Sequence, residues 1–146
     1  MEEATIGPDP PLARLLLLAS RWFDDESRDE LQQRGWPRLS PAQTLLFTFL
    51  DAEGTPPAEL ARRLGHSRQA THQLIDGLCR LGFVELGVNP QRRGGRLVLL
   101  TGHGRELRST ACDILHALEI SLGARRVRTL RRLLAEFDVA AFRSTV

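Results

Sequence analysis

The feature that most constrains this fold is a pair of short helical segments separated by a tight turn at Gly65. Thr55-Pro56-Pro57 is a typical start for the first helix, and Ser67 can cap the second. A glycine between them suits the left-handed backbone that closes a helix. In the second segment a spacing of three and four predicts a buried stripe made of Thr71, Leu74, Ile75 and Leu78. This pattern is typical of a helix-turn-helix.

A β-hairpin is predicted immediately after this pair. Residues 83–88 and 96–100 read as short strands, and the segment between them contains Asn, Pro and two glycines. Arg92 and Arg93 lie at the predicted tip, and Arg96 begins the second strand. The chain therefore combines a helix-turn-helix with a basic hairpin.

Amphipathic helices are predicted on both sides of this region. The apolar periodicity indicates helices from Leu12 to about residue 34, over residues 41–53, from Thr101 onwards and from residue 124 to about 143. Gly102 and Gly104 weaken the first turn of the helix that starts at Thr101. We expect a mainly α fold with a small β-hairpin wing, in which one domain spans residues 1–146.

The outer helices are predicted to form a dimerisation lobe. A winged helix-turn-helix lobe would occupy residues 39–101, flanked by dimerisation helices at residues 12–34 and 105–143. Their apolar stripes exceed what this lobe can cover, so we expect two copies of the chain to pair. The side chains predicted to form the contact are Leu12, Leu15, Leu16, Ala19, Val127, Leu130, Leu134 and Phe137.

Charge is distributed unevenly along the chain. Residues 1–59 hold five Arg and eleven acidic side chains, whereas residues 60–110 hold nine Arg and three acidic side chains. A helix fits the major groove of DNA, where Gln can pair with adenine and Arg with guanine, and a basic loop can reach phosphates. The second helix of the pair offers Arg68, Gln69, His72 and Gln73, and the hairpin offers Arg92, Arg93 and Arg96. Any one of them alone could be an ordinary solvated residue, but their coincidence with this motif favours double-stranded DNA as the partner.

Three segments carry a resemblance to a known family. LSPAQTLLFTFL, LARRLGHSRQATHQLIDGLCRLGFVEL and RLVLLTGHGREL resemble the MarR family of bacterial transcriptional regulators over roughly residues 39–108. The resemblance implies a homodimer with winged helix-turn-helix lobes that binds a palindromic operator as a transcriptional regulator, with repression as the expected action. It also implies that a small aromatic or phenolic effector releases the DNA.

The resemblance also assigns roles to individual residues. Ser67, Arg68, Gln69, His72 and Gln73 match the positions that read the major groove, and Arg93 matches the wing-tip arginine. Arg92 stands where the family commonly has an acidic residue, and Gly94 stands where another Arg is common. The wing is therefore expected to be more basic and less preorganised than is usual in the family.

Other functional classes have weaker support. We find no paired carboxylates, phosphate loop or nucleophile elbow, so we expect no enzyme and no cofactor. Cys112 and His116 could begin a zinc site with His103, but no fourth ligand is evident, so no metal site is predicted, and Cys112 is expected to be a buried thiol. A protein-interaction module, or a ligand- or metal-binding protein without specific DNA binding, stays as the alternative.

The expected location is the cytoplasm. Two cysteines in helical segments suit a reducing compartment, and the acidic start of the chain does not resemble a secretory signal. No apolar run approaches the length of about 18 residues that a membrane span needs. We therefore predict no membrane association.

Overall fold

The computed structural model describes residues 10–137, which form six helices and one two-stranded antiparallel sheet. This confirms the mainly α fold with a small β-hairpin. In chain order the elements are α1 (Leu12–Gln33), α2 (Pro41–Phe49), α3 (Pro57–Leu64), α4 (Arg68–Arg80), β1 (Val84–Val88), β2 (Arg96–Leu100), α5 (Gly102–Leu122) and α6 (Ala124–Ala135).

Helix α2 is four residues shorter than predicted. Its start has the predicted capping box, in which the Ser40 hydroxyl accepts from the Gln43 N–H while the Gln43 side chain accepts from the Ser40 N–H. It ends at Phe49, however, and not at Glu53. Two arginines satisfy the carbonyl groups at this end: the Arg63 guanidinium donates to Phe49 O, and the Arg108 guanidinium donates to the carbonyl oxygens of Phe47 and Leu50. These bonds replace the ones that another helical turn would have made.

The predicted helix-turn-helix consists of α3 and α4. Gly65 ends α3 in the left-handed region, with φ +67°. The Ser67 hydroxyl then caps α4 by accepting from the Ala70 N–H at 3.1 Å. Ile75 and Leu78 are buried, as is Thr71, whose hydroxyl donates to Ser67 O. The inner face of α4 therefore packs on the core and leaves the opposite face to solvent.

One hydrophobic core holds α2, α3, α4, both strands and the first turns of α5 together. Leu46, Leu60, Ile75, Leu78 and Val98 have no exposed surface, and Phe83 is almost completely buried. Burying apolar side chains of this size contributes about 1.5–3 kcal/mol each. This core fixes the position of α4 and the hairpin on the same body.

The hairpin is joined to the helix-turn-helix by a third segment. Strands β1 and β2 pair from Val84 with Leu100 to Val88 with Arg96. Beside β2, Thr55 and Val98 exchange two backbone hydrogen bonds of 3.1 and 2.9 Å. Because Thr55 immediately precedes the Pro56 cap of α3, the hairpin is attached to α3 as well as to α4.

Helix α5 starts against the beginning of the hairpin. The Thr101 hydroxyl accepts from the Gly104 N–H at 3.0 Å and donates to Gly82 O. Gly104 is buried directly beside the carbonyl group of Phe83. A glycine that weakens the helix in isolation is therefore required here, because a side chain has no room.

The backbone divides into two compact units, and the boundary falls within α5 between Ala111 and Cys112. In the first unit, α1 exposes the predicted apolar side chains Leu12, Leu15, Leu16 and Ala19. In the second unit, α6 exposes Leu130 and Leu134, Phe137 after it is exposed, and Val127 is half-buried. Helix α6 ends at Ala135 with Glu136 as its C-cap, so it is shorter than the predicted helix, and residues 138–143 of that prediction lie outside the described residues. Within residues 10–137, no helix has the length and hydropathy that crossing a membrane requires.

Candidate nucleic-acid interface

The exposed face of α4 consists of two neighbouring stripes of polar side chains. Arg68 and His72 are one turn apart, and so are Gln69 and Gln73 beside them. All four side chains are exposed, as predicted. Ser67 is exposed as well, and although its hydroxyl oxygen caps α4, the hydroxyl proton can still be donated to a ligand. The helix thus presents donors and acceptors along its first two turns.

The tip of the hairpin has an ordered backbone. The Asn89 side chain accepts from the Gln91 N–H at 3.0 Å, and the Asn89 N–H donates to Gly95 O. Gly94 has a φ of +73°, so the residue that replaces a common family arginine lies where the backbone favours glycine. Arg92 and Arg93 are exposed on this loop. The wing tip is therefore held by its own turns without an acidic residue before Arg93.

A surface cleft brings some of the predicted residues together. Its volume is about 260 Å³, and it is lined by Pro57, Ala58, Arg68, His72, Arg92 and Arg96. The cleft thus joins α4 to both the tip and the second strand of the hairpin. Ser67, Gln69, Gln73 and Arg93, although predicted for the same site, do not line it.

Two residues of this cleft were missed by the sequence analysis. Pro57 and Ala58 form the first turn of α3 and line the cleft beside α4. The available signal was the helix-turn-helix itself, because this motif sets the two helices across a short turn. Neither side chain carries a charge or a hydrogen-bonding group, so composition gave no reason to select them.

Several arginines of the basic central region are used within the fold. Arg62 forms an ion pair with Glu59, and Arg63 binds both Glu59 and Asp51. Arg105 donates to Leu100 O, and Arg108 donates to the end of α2. The excess of arginine counted in residues 60–110 therefore does not form one basic face open to a partner. Within residues 10–137, a second group of side chains makes no hydrogen bond or ion pair, and it includes Arg68, Arg92, Arg93 and Arg96.

The ion pairs of α3 change the titration of their carboxylates. Hydrogen bonds from Arg62 and Arg63 lower the pKa of Glu59 to about 2. The hydrogen bonds that Arg63 donates likewise lower the pKa of Asp51. These carboxylates therefore stay ionised at neutral pH, and their ion pairs with Arg62 and Arg63 persist.

The two cysteines occupy different environments. Cys79 is half-buried at the edge of the core, where desolvation raises the pKa of its thiol. Cys112 is exposed, so the expectation of a buried thiol was wrong. His116 is exposed too. In the described part of the chain, no three His, Cys, Asp or Glu side chains gather as a metal site would require.

Comparison with known proteins finds similarity to one family. A model of the MarR family matches residues 39–96. Wild-type MarR of Escherichia coli in its apo form is 27% identical, with a TM-score of 0.66 over 88% of this chain and 97% of that chain. MepR of Staphylococcus aureus, a transcription regulator of the multidrug efflux pump MepA, is 18% identical, with a TM-score of 0.63 over 86% and 95% of the two chains. No curated protein sequence matches the chain.

A structure of a MepR mutant bound to an oligodeoxyribonucleotide is 17% identical, with a TM-score of 0.58 over 88% of this chain and 96% of that chain. At this identity the likeness concerns the fold. The family model and the MarR match concern the sequence as well, and the family model covers α4 and most of the hairpin. Residues 39–96 therefore match the MarR family, and the chain has the fold of this family's winged helix-turn-helix transcription regulators, which are DNA-binding proteins and not enzymes.

Proposed function

We propose that this protein is a sequence-specific repressor that binds a palindromic operator as a homodimer. The observation that carries the proposal is the group of exposed arginines on α4 and the hairpin, which no acidic side chain in the described residues neutralises. In helix-turn-helix proteins the first turns of the second helix enter the major groove. Gln69 and Gln73 have the side chains for base edges, and Ser67 and Arg93 those for the backbone.

Two further parts of the proposal concern the assembly and the direction of regulation. The apolar side chains exposed on α1 and α6 support pairing of two copies, because a dimer would cover them. A relative described as the Multiple Antibiotic Resistance Repressor is 27% identical, which supports repression as the direction. Palindromic operators follow from a two-fold dimer, since each copy would bind one half-site. A regulator of this kind acts in the cytoplasm.

An aromatic acid or phenol as the releasing effector belongs to the same proposal. Its support is the resemblance to the family. The physical requirement is that the compound has a higher affinity for the form of the dimer that does not bind DNA than for the form that does. A screen of such compounds against the protein bound to DNA tests this point. If no compound shifts the affinity for DNA, release by an effector is wrong while DNA binding stands.

The central experiment is selection of duplexes from a random pool by the purified protein, followed by binding of the selected and a scrambled duplex over a salt series. We expect an inverted repeat to be enriched, tighter binding to the selected duplex and a steep fall of affinity with salt. Failure to enrich any sequence, together with salt-insensitive binding, would favour a protein-interaction module instead.

A further inference from the structure

The cleft between α4 and the hairpin concentrates positive charge without compensation from the fold. Arg68 comes from the first turn of α4, Arg92 from the wing tip and Arg96 from the start of β2, and His72 lies one turn after Arg68. The cleft has no acidic lining residue. Like charges near one another repel, and an anion bound between them would relieve this repulsion.

Several other arginines of the central region do have acceptors within the fold. Arg63 binds two carboxylates and a carbonyl oxygen, and Arg105 and Arg108 bind carbonyl oxygens. The three arginines of the cleft have no such acceptors among the described residues. These three arginines are therefore available to bind a ligand from solution.

The shape and chemistry of the cleft select the kind of ligand. Guanidinium groups match the oxygens of a phosphate with paired hydrogen bonds. A space of about 260 Å³ accepts a phosphodiester group with its water, whereas a paired base would first have to leave the stack. The apolar Pro57 and Ala58 wall adds no hydrogen-bonding side chain that could pair with a base edge. A nucleic-acid backbone therefore fits the cleft better than a base does.

We propose that this cleft clamps one phosphate of the DNA backbone per subunit, held jointly by Arg68 from α4 and Arg96 from β2, with His72 and Arg92 as additional donors. The proposal rests on the DNA-binding function proposed above. Under this proposal Arg68 and His72 bind the DNA backbone, whereas the sequence analysis assigned them to reading bases. Reading of base edges is then left to the neighbouring stripe of Gln69 and Gln73.

The test combines protein variants with duplexes in which one phosphate at a time is replaced by an uncharged methylphosphonate. The duplex is the one selected by the wild-type protein, and the readout is the dissociation constant from fluorescence anisotropy. We expect one position per half-site at which the replacement weakens binding about ten- to a hundred-fold, the range expected when a charge-assisted hydrogen bond is removed. Arg68→Ala and Arg96→Ala should each weaken binding to the unmodified duplex and remove the sensitivity at that same position.

Controls separate the clamp from general effects. Arg80→Ala removes an exposed arginine from the last turn of α4 outside the cleft, so this variant should keep the full sensitivity. Arg68→Lys and Arg96→Lys keep the charge and should retain part of the affinity, and thermal melting confirms that each variant is folded. If Arg68→Ala and Arg96→Ala remove sensitivity at different phosphates, or at none, the clamp is wrong although DNA binding stands. If the wild-type protein selects no duplex, the proposed function itself fails.

A second arm distinguishes a DNA phosphate from a free anion. Inorganic phosphate is titrated into the protein without DNA at constant ionic strength and followed by ³¹P NMR. We expect no binding below millimolar concentrations, because the clamp depends on the rest of the duplex to position the group. Submillimolar binding that Arg96→Ala abolishes would assign the cleft to a free anion and overturn the assignment to the DNA backbone.

Discussion

Gly104 illustrates how a single residue can be explained only by its surroundings. In the sequence it weakens the start of α5, and in the structure it allows α5 to pass the carbonyl oxygen of Phe83. Gly102, two residues earlier, has open space around the position of a β-carbon, with the nearest atom at 3.9 Å. The two glycines therefore look alike in the sequence and differ in their tolerance of a side chain.

We expect Gly104→Ala to lower the free energy of unfolding by about 1–3 kcal/mol, the usual cost of overpacking. Gly102→Ala is the matched control and should be neutral or stabilising by up to about 1 kcal/mol, because alanine favours a helix over glycine. Urea unfolding followed by circular dichroism measures both. Equal effects of the two substitutions would show that the contact with Phe83 does not constrain α5.

At the scale of elements, α3 is linked to the end of α2 by charged side chains. Glu59 is 30% exposed and binds both Arg62 and Arg63, and Arg63 also binds Asp51 and a carbonyl oxygen of α2. The lowered pKa values mean that this stabilisation is present above the ordinary pKa of the carboxylates. It is lost as the pH falls through the folded-state value, which is about 2 for Glu59.

Glu59→Gln should therefore lower the melting temperature at pH 6–7 and have a diminishing effect as the pH falls from about 4.5 to about 2. Glu53→Gln is the control, because Glu53 forms no ion pair among the described residues. Thermal melts across this pH range measure the difference from the wild-type protein. A difference that stays constant with pH would contradict a contribution from ionised Glu59.

The different roles proposed for α4, which reads bases, and for the wing, which binds the DNA backbone, can be tested separately. Gln73→Ala should relax the preference at particular operator positions, with a penalty of about 1–3 kcal/mol per bidentate contact. Arg93→Ala should weaken binding to selected and scrambled duplexes alike and flatten the log–log salt slope by about one unit for each phosphate that is no longer bound. Titrations of both variants on both duplexes at several salt concentrations test this. An unchanged slope and affinity for Arg93→Ala would show that the wing tip does not grip DNA.

The sequence predicted the elements better than their ends and their side-chain partners. The spacing of Thr71, Leu74, Ile75 and Leu78 was sufficient to define the inner face of α4, because helical periodicity is a local property, although Leu74 is only half-buried. The end of α2 was not predictable in this way, since it depends on Arg63 and Arg108, which lie further along the chain. The same is true of the cleft, which Arg68 and Arg96 line together only because the hairpin lies beside α4.

For the whole molecule, the exposed apolar side chains of α1 and α6 lead to a prediction about assembly. Leu134→Glu places a charge in the proposed dimer contact and should shift the protein towards monomer or aggregate at micromolar concentration. Leu86→Glu is the control, because both leucines are 42% exposed but Leu86 lies on the hairpin. Sedimentation velocity reports the assembly state. A wild-type protein that sediments as a folded monomer would contradict the dimer.

The backbone bonds between Thr55 and Val98 have a kinetic consequence for binding. They fasten the hairpin to the start of α3, so that α4 and the wing are two DNA-binding parts of one body. Once one part is bound to DNA, the other is held near its target at high effective concentration and rebinds before the protein dissociates. An uncharged substitution such as Gln73→Ala should therefore appear mainly as shorter residence on DNA, while the rate of association changes little.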